Sequence, residues 1–157
     1  MKKTARLLLT ALCALTLNIS PGVAYASART QATAYSVSAT KGWQSTGVSV
    51  GANSRFRISY DSGTWTVGSP GLPRVGPAGY SADVDRRIYQ GCKGYPEHPY
   101  AYLMGTISNS DRSYELHVGG GGYWMAPISG IIYLRIHDND GCLGDNAGAV
   151  TVTITPY

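Results

Sequence analysis

The chain has a single phenylalanine, three cysteines and charged side chains at only 14% of its 157 positions. At 43% hydrophobic residues it is too apolar to stay disordered, and its length allows one ordinary domain rather than several. Runs of Lys and Arg interleaved with aromatics are missing: the densest basic pairs are Arg55 with Arg57 and Arg86 with Arg87, which read as solvated strand or loop positions. Nucleic acid is therefore not an expected partner. Also lacking is an apolar run of the roughly 20 residues that a bilayer-spanning helix needs, since the longest covers residues 7–17 and Asn18 and Pro21 prevent its extension. Membrane insertion is not expected either. Helical periodicity sustained over three turns is absent throughout.

What the sequence does have begins with a basic start (Lys2, Lys3, Arg6), the short apolar run and an A-x-A ending at Ala24, Tyr25 and Ala26. This pattern predicts a secretory signal peptide over residues 1–26, cut after Ala26, and a secreted or periplasmic mature chain of residues 27–157. Cys13 follows Leu12 instead of a small residue, which argues against a lipoprotein and lets that cysteine leave with the signal. Losing Lys2, Lys3 and Arg6 leaves ten basic against nine acidic residues, so the basic pI of the precursor carries no message about partners. Cys92 and Cys142 remain, and an even count in an oxidising compartment predicts one disulfide. Closing a loop of 50 residues contributes at most about 4 kcal/mol in the chain-entropy account.

Alternation with period two dominates the mature chain. Phe56, Ile58 and Tyr60 share one face of SRFRISY, and Tyr114, Leu116 and Val118 one face of SYELHV. Ile132, Leu134 and Ile136 do so in IIYLRIH, and Val150, Val152 and Ile154 in AVTVTIT. Tyr35, Val37 and Ala39, and Leu103 with Ile107, supply two more candidate strands. Six or more short strands separated by Gly, Asn, Asp and Pro clusters predict an all-β chain, an antiparallel β-sandwich of jelly-roll type. The glycine run at 119–122 has no following Lys and Ser or Thr, so it reads as a hairpin turn and not as a phosphate loop. Residues 69–99 hold five of the eight prolines and read as one long loop, ordered by Cys92.

The segment HDNDGCLGDNAG, residues 137–148, lies between two strongly alternating strands. Asp138, Asn139, Asp140, Asp145 and Asn146 concentrate hard oxygen donors there, and the glycines at 141, 144 and 148 permit tight backbone turns. Six to eight such oxygens are what Ca²⁺ takes. An Asx-rich turn would use the same residue types, and an EF-hand fits poorly because its glycine falls too early and Ala149 stands where a bidentate Glu belongs.

With Asp138, Gly141, Gly144, Asp145, Asn146 and Gly148 in this spacing, the loop resembles the calcium loop of the bacterial galactophilic lectins of the LecA type. Residues 45–59, SGTW ending at Trp65, GPAG at 76–79, YLMGTISNS and YWMAP continue the likeness, which covers most of residues 27–157 and is loosest at 80–100. The resemblance implies a jelly-roll lectin domain holding one Ca²⁺ to which the sugar binds directly. Its metal ligands would be the side chains of Asp138, Asp145 and Asn146 with the carbonyls of Val50 and Cys142. Asp138, Asp145, the Asn139 backbone and the Cys142 carbonyl would hydrogen-bond the sugar, a galactoside or related glycan. The family places a His and a Gln in the loop before the central strand. Here Asp83 is nearest, while His98 and Gln90 are out of register, so strict galactose selectivity is not expected. Self-association into a homo-oligomer would add avidity.

Two other readings compete with the non-catalytic lectin. One is a sandwich whose Ca²⁺ only stiffens the loops while a protein partner, or a larger assembly to which it is an accessory domain, is the ligand. The other is a hydrolase using Asp138 and Asp145 as an acid and base pair. Carboxylates on calcium stay ionised and cannot serve as general acids, and no Ser or Cys nucleophile stands in a motif with His, so catalysis is not expected. His117 and His98 read as surface positions, and His137 as a residue that packs or hydrogen-bonds at a strand end.

Overall fold

The computed structural model describes residues 31–157, so the expected signal peptide lies outside the described residues. Eight strands form: β1 Thr33–Ser38, β2 Gln44–Val50, β3 Arg55–Thr66, β4 Leu103–Ser108, β5 Ser113–His117, β6 Gly121–Met125, β7 Gly130–Ile136 and β8 Ala147–Pro156. They make two four-stranded antiparallel sheets, ordered β1-β8-β3-β6 and β2-β7-β4-β5. Every connection except β4 to β5 carries the chain from one sheet to the other. That order is the jelly roll anticipated from the sequence.

The alternating residues build the space between the sheets. Phe56, Ile58, Leu103, Ile107, Ile132, Leu134, Ile136, Val150, Val152 and Ile154 are all completely buried. Each such side chain contributes about 1.5–3 kcal/mol on transfer from water, which is what holds two sheets face to face. Trp65 closes one end, fully buried, with Nε1 donating to the Ala101 carbonyl at 2.8 Å. The alternation weakens at Tyr60, which is exposed because β3 bulges between Tyr60 and Ser62. Tyr114 is half exposed as well, since β5 is an edge strand.

The glycine run is not a hairpin turn. β5 and β6 belong to different sheets, and the run carries the chain across the sandwich. Gly119 has φ +51°, and a Cβ there would meet the Tyr102 ring at 2.7 Å, so the crossing needs glycine for space and conformation alike.

Residues 69–99 form the ordered loop expected of them. They contain a single helical turn, α1 Ala82–Asp85, and a short 3₁₀ turn at Gln90–Cys92. The Tyr80 hydroxyl donates to Pro73 O at 3.0 Å and meets the Thr66 hydroxyl at 2.8 Å. The Asp85 carboxylate accepts from the Tyr100 N–H at 2.7 Å and pairs with the Lys93 ammonium. No helix among the described residues is long and apolar enough to cross a membrane.

Candidate functional site

The oxygen-rich loop leaves the end of β7, passes through a 3₁₀ turn at Asp140–Asp145 and enters β8. Its first acid is buried: Asp138 is 5% exposed, and its Oδ1 accepts the Asn139 N–H at 2.9 Å. Burial pushes the Asp138 carboxyl up to about 6, and the charge of Asp145 adds to the rise. The Asn146 amide, the Asn139 N–H and Arg135 act in the opposite direction without cancelling it. The nearby cation, Arg135, donates to the Asp138 carbonyl and pairs with Asp140, and does not offset the burial of the carboxylate.

Asn146 is also buried, with Nδ2 donating to Ala39 O at 3.1 Å. Its Oδ1 is the one buried side-chain polar atom among the described residues with no hydrogen-bond partner. Leaving such an oxygen unpaired costs about 1–3 kcal/mol. Asp145 is solvent-facing, and its carbonyl is fixed by the Ser69 N–H at 2.7 Å.

Cys142 is bonded to Cys92, as predicted, across a Cα separation of 6.2 Å. The bond ties the long loop over the oxygen-rich one. A second tie is the Asn139 N–H, which also reaches the Cys92 carbonyl at 2.9 Å. Between the two loops lies a cavity of about 150 Å³ whose lining includes Val67, Tyr89, Tyr100, Asp138, Cys142 and Asp145. An Asp138 oxygen sits within 4.8 Å of both sulfurs, but sulfurs bonded to each other offer no thiolate to a metal. The donors left are oxygens, which suit a hard cation.

The structure therefore brings Asp138, Cys142, Asp145 and Asn146 to one end of the sandwich. Val50 is not with them. It pairs with Gly130 at the start of β7, whereas Asp138 lies beyond the end of that strand, so Val50 is at the opposite end of the sheet. Val67, one residue beyond β3, lines the cavity instead. Nothing in the residue type of Val67 marks it for that place. Asp83 does not reach the cavity either: it stands two-thirds exposed on α1, paired with Arg86 at 2.6 Å. The Asn139 N–H, expected on the sugar, is turned inward onto Asp138 and Cys92. Gln90 is spent on the carbonyls of Asp85 and Ile88, and His98 stacks on Tyr102 at 4.6 Å.

No family model matches the chain, and no curated protein matches it. Among solved structures it is similar to the one described as "EclA N-terminal domain; PllA-like lectin", with 24% identity and a TM-score of 0.58 over 79% of this chain and 95% of that one. The likeness is one of fold: a lectin domain and this chain share the same sandwich.

Proposed function

We propose that this protein is a secreted, non-catalytic carbohydrate-binding protein in which a Ca²⁺ ion bridges protein and sugar. The observation that carries the reading is the orphaned Asn146 Oδ1, buried beside the carboxylate of Asp138 in a chain whose fold is shared with a lectin domain. A divalent cation would satisfy that oxygen and offset the burial of Asp138 together. Asp138, Asp145 and Asn146 would hold it by their side chains, and Cys142 and Val67 line the same cavity. With two carboxylates and an amide the loaded site is neutral, which suits an uncharged ligand. Bound calcium makes two vicinal hydroxyls better ligands than bulk water makes them, and a carboxylate accepts their protons through charge-assisted bonds.

Such a site selects for a diol and leaves choice among sugars to the loop above it, where no His and Gln pair stands ready. Single monosaccharides should then bind near millimolar, about −4 kcal/mol. Calorimetric titration of Ca²⁺ into chelator-treated protein should show one site per chain, and a glycan array should light up with calcium and go dark with EDTA. Sugar binding that survives chelation would overturn the bridging role. Calcium uptake with no glycan bound would favour the calcium-stiffened sandwich with a protein ligand.

A further inference from the structure

We infer that the outer face of the second sheet is a groove that takes the continuation of a linear, uncharged glycan, a site that rests on the carbohydrate-binding reading above. Strand register sets out the face. Three rungs of outward residues cross β7, β4 and β5: Arg135, Met104 and His117; then Tyr133, Thr106 and Glu115; then Ile131, Ser108 and Ser113. The first rung is covered from above by the long loop. Tyr95 lies edge-on to His117 with its hydroxyl on Glu115, and Met104 is only 1% exposed although it points outward.

The other two rungs are open at Tyr133, Ser108 and Ser113, with Thr106 buried between them and Glu115 under the Tyr95 hydroxyl. They floor a depression of about 290 Å³ whose wall is Trp43, 40% exposed and backed by the Arg135 guanidinium at 5.5 Å from its ring centre. Trp43 also lines a second depression of about 170 Å³, which runs between Tyr95 and Arg135 to Asp138 and Asn139. Asp138 in turn lines the candidate cation cavity. Consecutive depressions thus share a residue, from the cation loop down the sheet. Along β7 the path from Asp138 to Ile131 is roughly 20 Å, more than one sugar ring can occupy.

The chemistry of the lining matches a pyranose chain. Trp43 and Tyr133 offer flat, electron-rich faces to the C–H bonds of a sugar ring. Ser108 and Ser113 hydroxyls can donate or accept, Thr106 Oγ1 is left as an acceptor by its own bond to Tyr114 O, and Glu115 accepts. The apolar anchor of a protein partner would bury the Glu115 carboxylate and the Ser108 and Ser113 hydroxyls without satisfying them, whereas the hydroxyls of a sugar can pair with all three.

The test compares monosaccharides with linear tetrasaccharides of galactose, mannose and glucose, by calorimetry in calcium, on the parent, Trp43→Ala and Ser113→Arg. The second variant fills the lower depression from an exposed edge strand and leaves the Trp43 contact with Arg135 in place. For the sugar that binds, the tetrasaccharide should be about tenfold tighter than its monosaccharide on the parent, and either variant should erase that gain. Monosaccharide affinity should stay at the parent value in both. A tetrasaccharide no tighter than its monosaccharide, or a gain untouched by both variants, overturns the groove while the calcium-bridged site stands. Failure of every sugar on the parent overturns both.

Discussion

His137 and Pro99 are joined across the two loops: Nδ1 of the imidazole lies 2.8 Å from the Pro99 carbonyl, while Nε2 accepts the Tyr95 N–H at 3.1 Å. Those two partners fix the neutral ring with its proton on Nδ1, because a proton on Nε2 would collide with the Tyr95 donor.

The burial of that ring makes stability depend on pH. Burial holds His137 below its ordinary 6.5, with the Pro99 bond opposing and Lys93 assisting. The unfolded chain takes up its proton near 6.5 and the folded one only at lower pH, so folded stability falls as pH drops below about 6.5. His137→Gln can still donate and accept but does not titrate. Urea midpoints of the calcium-loaded proteins between pH 7.5 and 5.5 should fall more steeply for the parent; equal slopes would reject the assignment.

Asp138 gives the opposite sign in the metal-free protein. Its folded value of about 6 lies above the unfolded 3.8, so its charge destabilises the apo fold above pH 6, and that penalty is relieved as pH falls from 6 toward 3.8. Asp138→Asn should therefore stabilise the chelated protein at neutral pH, by something on the order of 2 kcal/mol, while losing cation uptake. Thermal unfolding with EDTA, paired with calcium calorimetry, reads both effects. A variant that binds calcium like the parent would count against the ligand assignment.

Asn146→Ala removes the unpaired oxygen and the donor to Ala39 together. Calcium affinity should fall at least about tenfold, or 1.4 kcal/mol. Terbium luminescence in the loaded protein would show an unchanged signal if Asn146 were only packing.

Asp83→Ala should leave calcium and sugar binding at parent values and stability within about 1 kcal/mol, because its exposed pair with Arg86 is the kind that contributes little. A loss of sugar affinity would restore Asp83 to the site.

Reducing Cys92–Cys142 should cost up to about 4 kcal/mol and loosen the cover over the oxygen-rich loop. Alkylation without reductant, read by mass spectrometry, should find no free thiol in the mature protein. Unfolding scans with and without reductant measure the size of the effect.

The sandwich was legible because burial on one face of a strand writes itself into every second residue, as in Ile132, Leu134 and Ile136. The oxygen donors of the loop could be read for the same reason: Asp138, Asp145 and Asn146 carry theirs on side chains. Val67 beside the cavity could not be, since nothing in its residue type marks that place, and Val50 sits at the other end of its sheet with nothing in its side chain to say so. Asp83 failed differently. Its distance along the chain was close to the expected position, but one helical turn aimed it at Arg86 and solvent. The groove on the second sheet was hidden for a further reason, because Trp43 precedes β2 and its neighbours Thr106, Glu115 and Tyr133 come from three other strands.

The strand order also governs how the chain acquires its shape. β8, the last of the eight strands, lies between β1 and β3, so the first sheet has no centre until residues 147–156 are delivered. A growing chain can form the β4–β5 hairpin by itself, but it cannot complete the C-terminal end of the oxygen-rich loop before β8 docks, because Asn146 immediately precedes that strand. Contacts this distant in sequence make for slow folding that waits on the end of the domain.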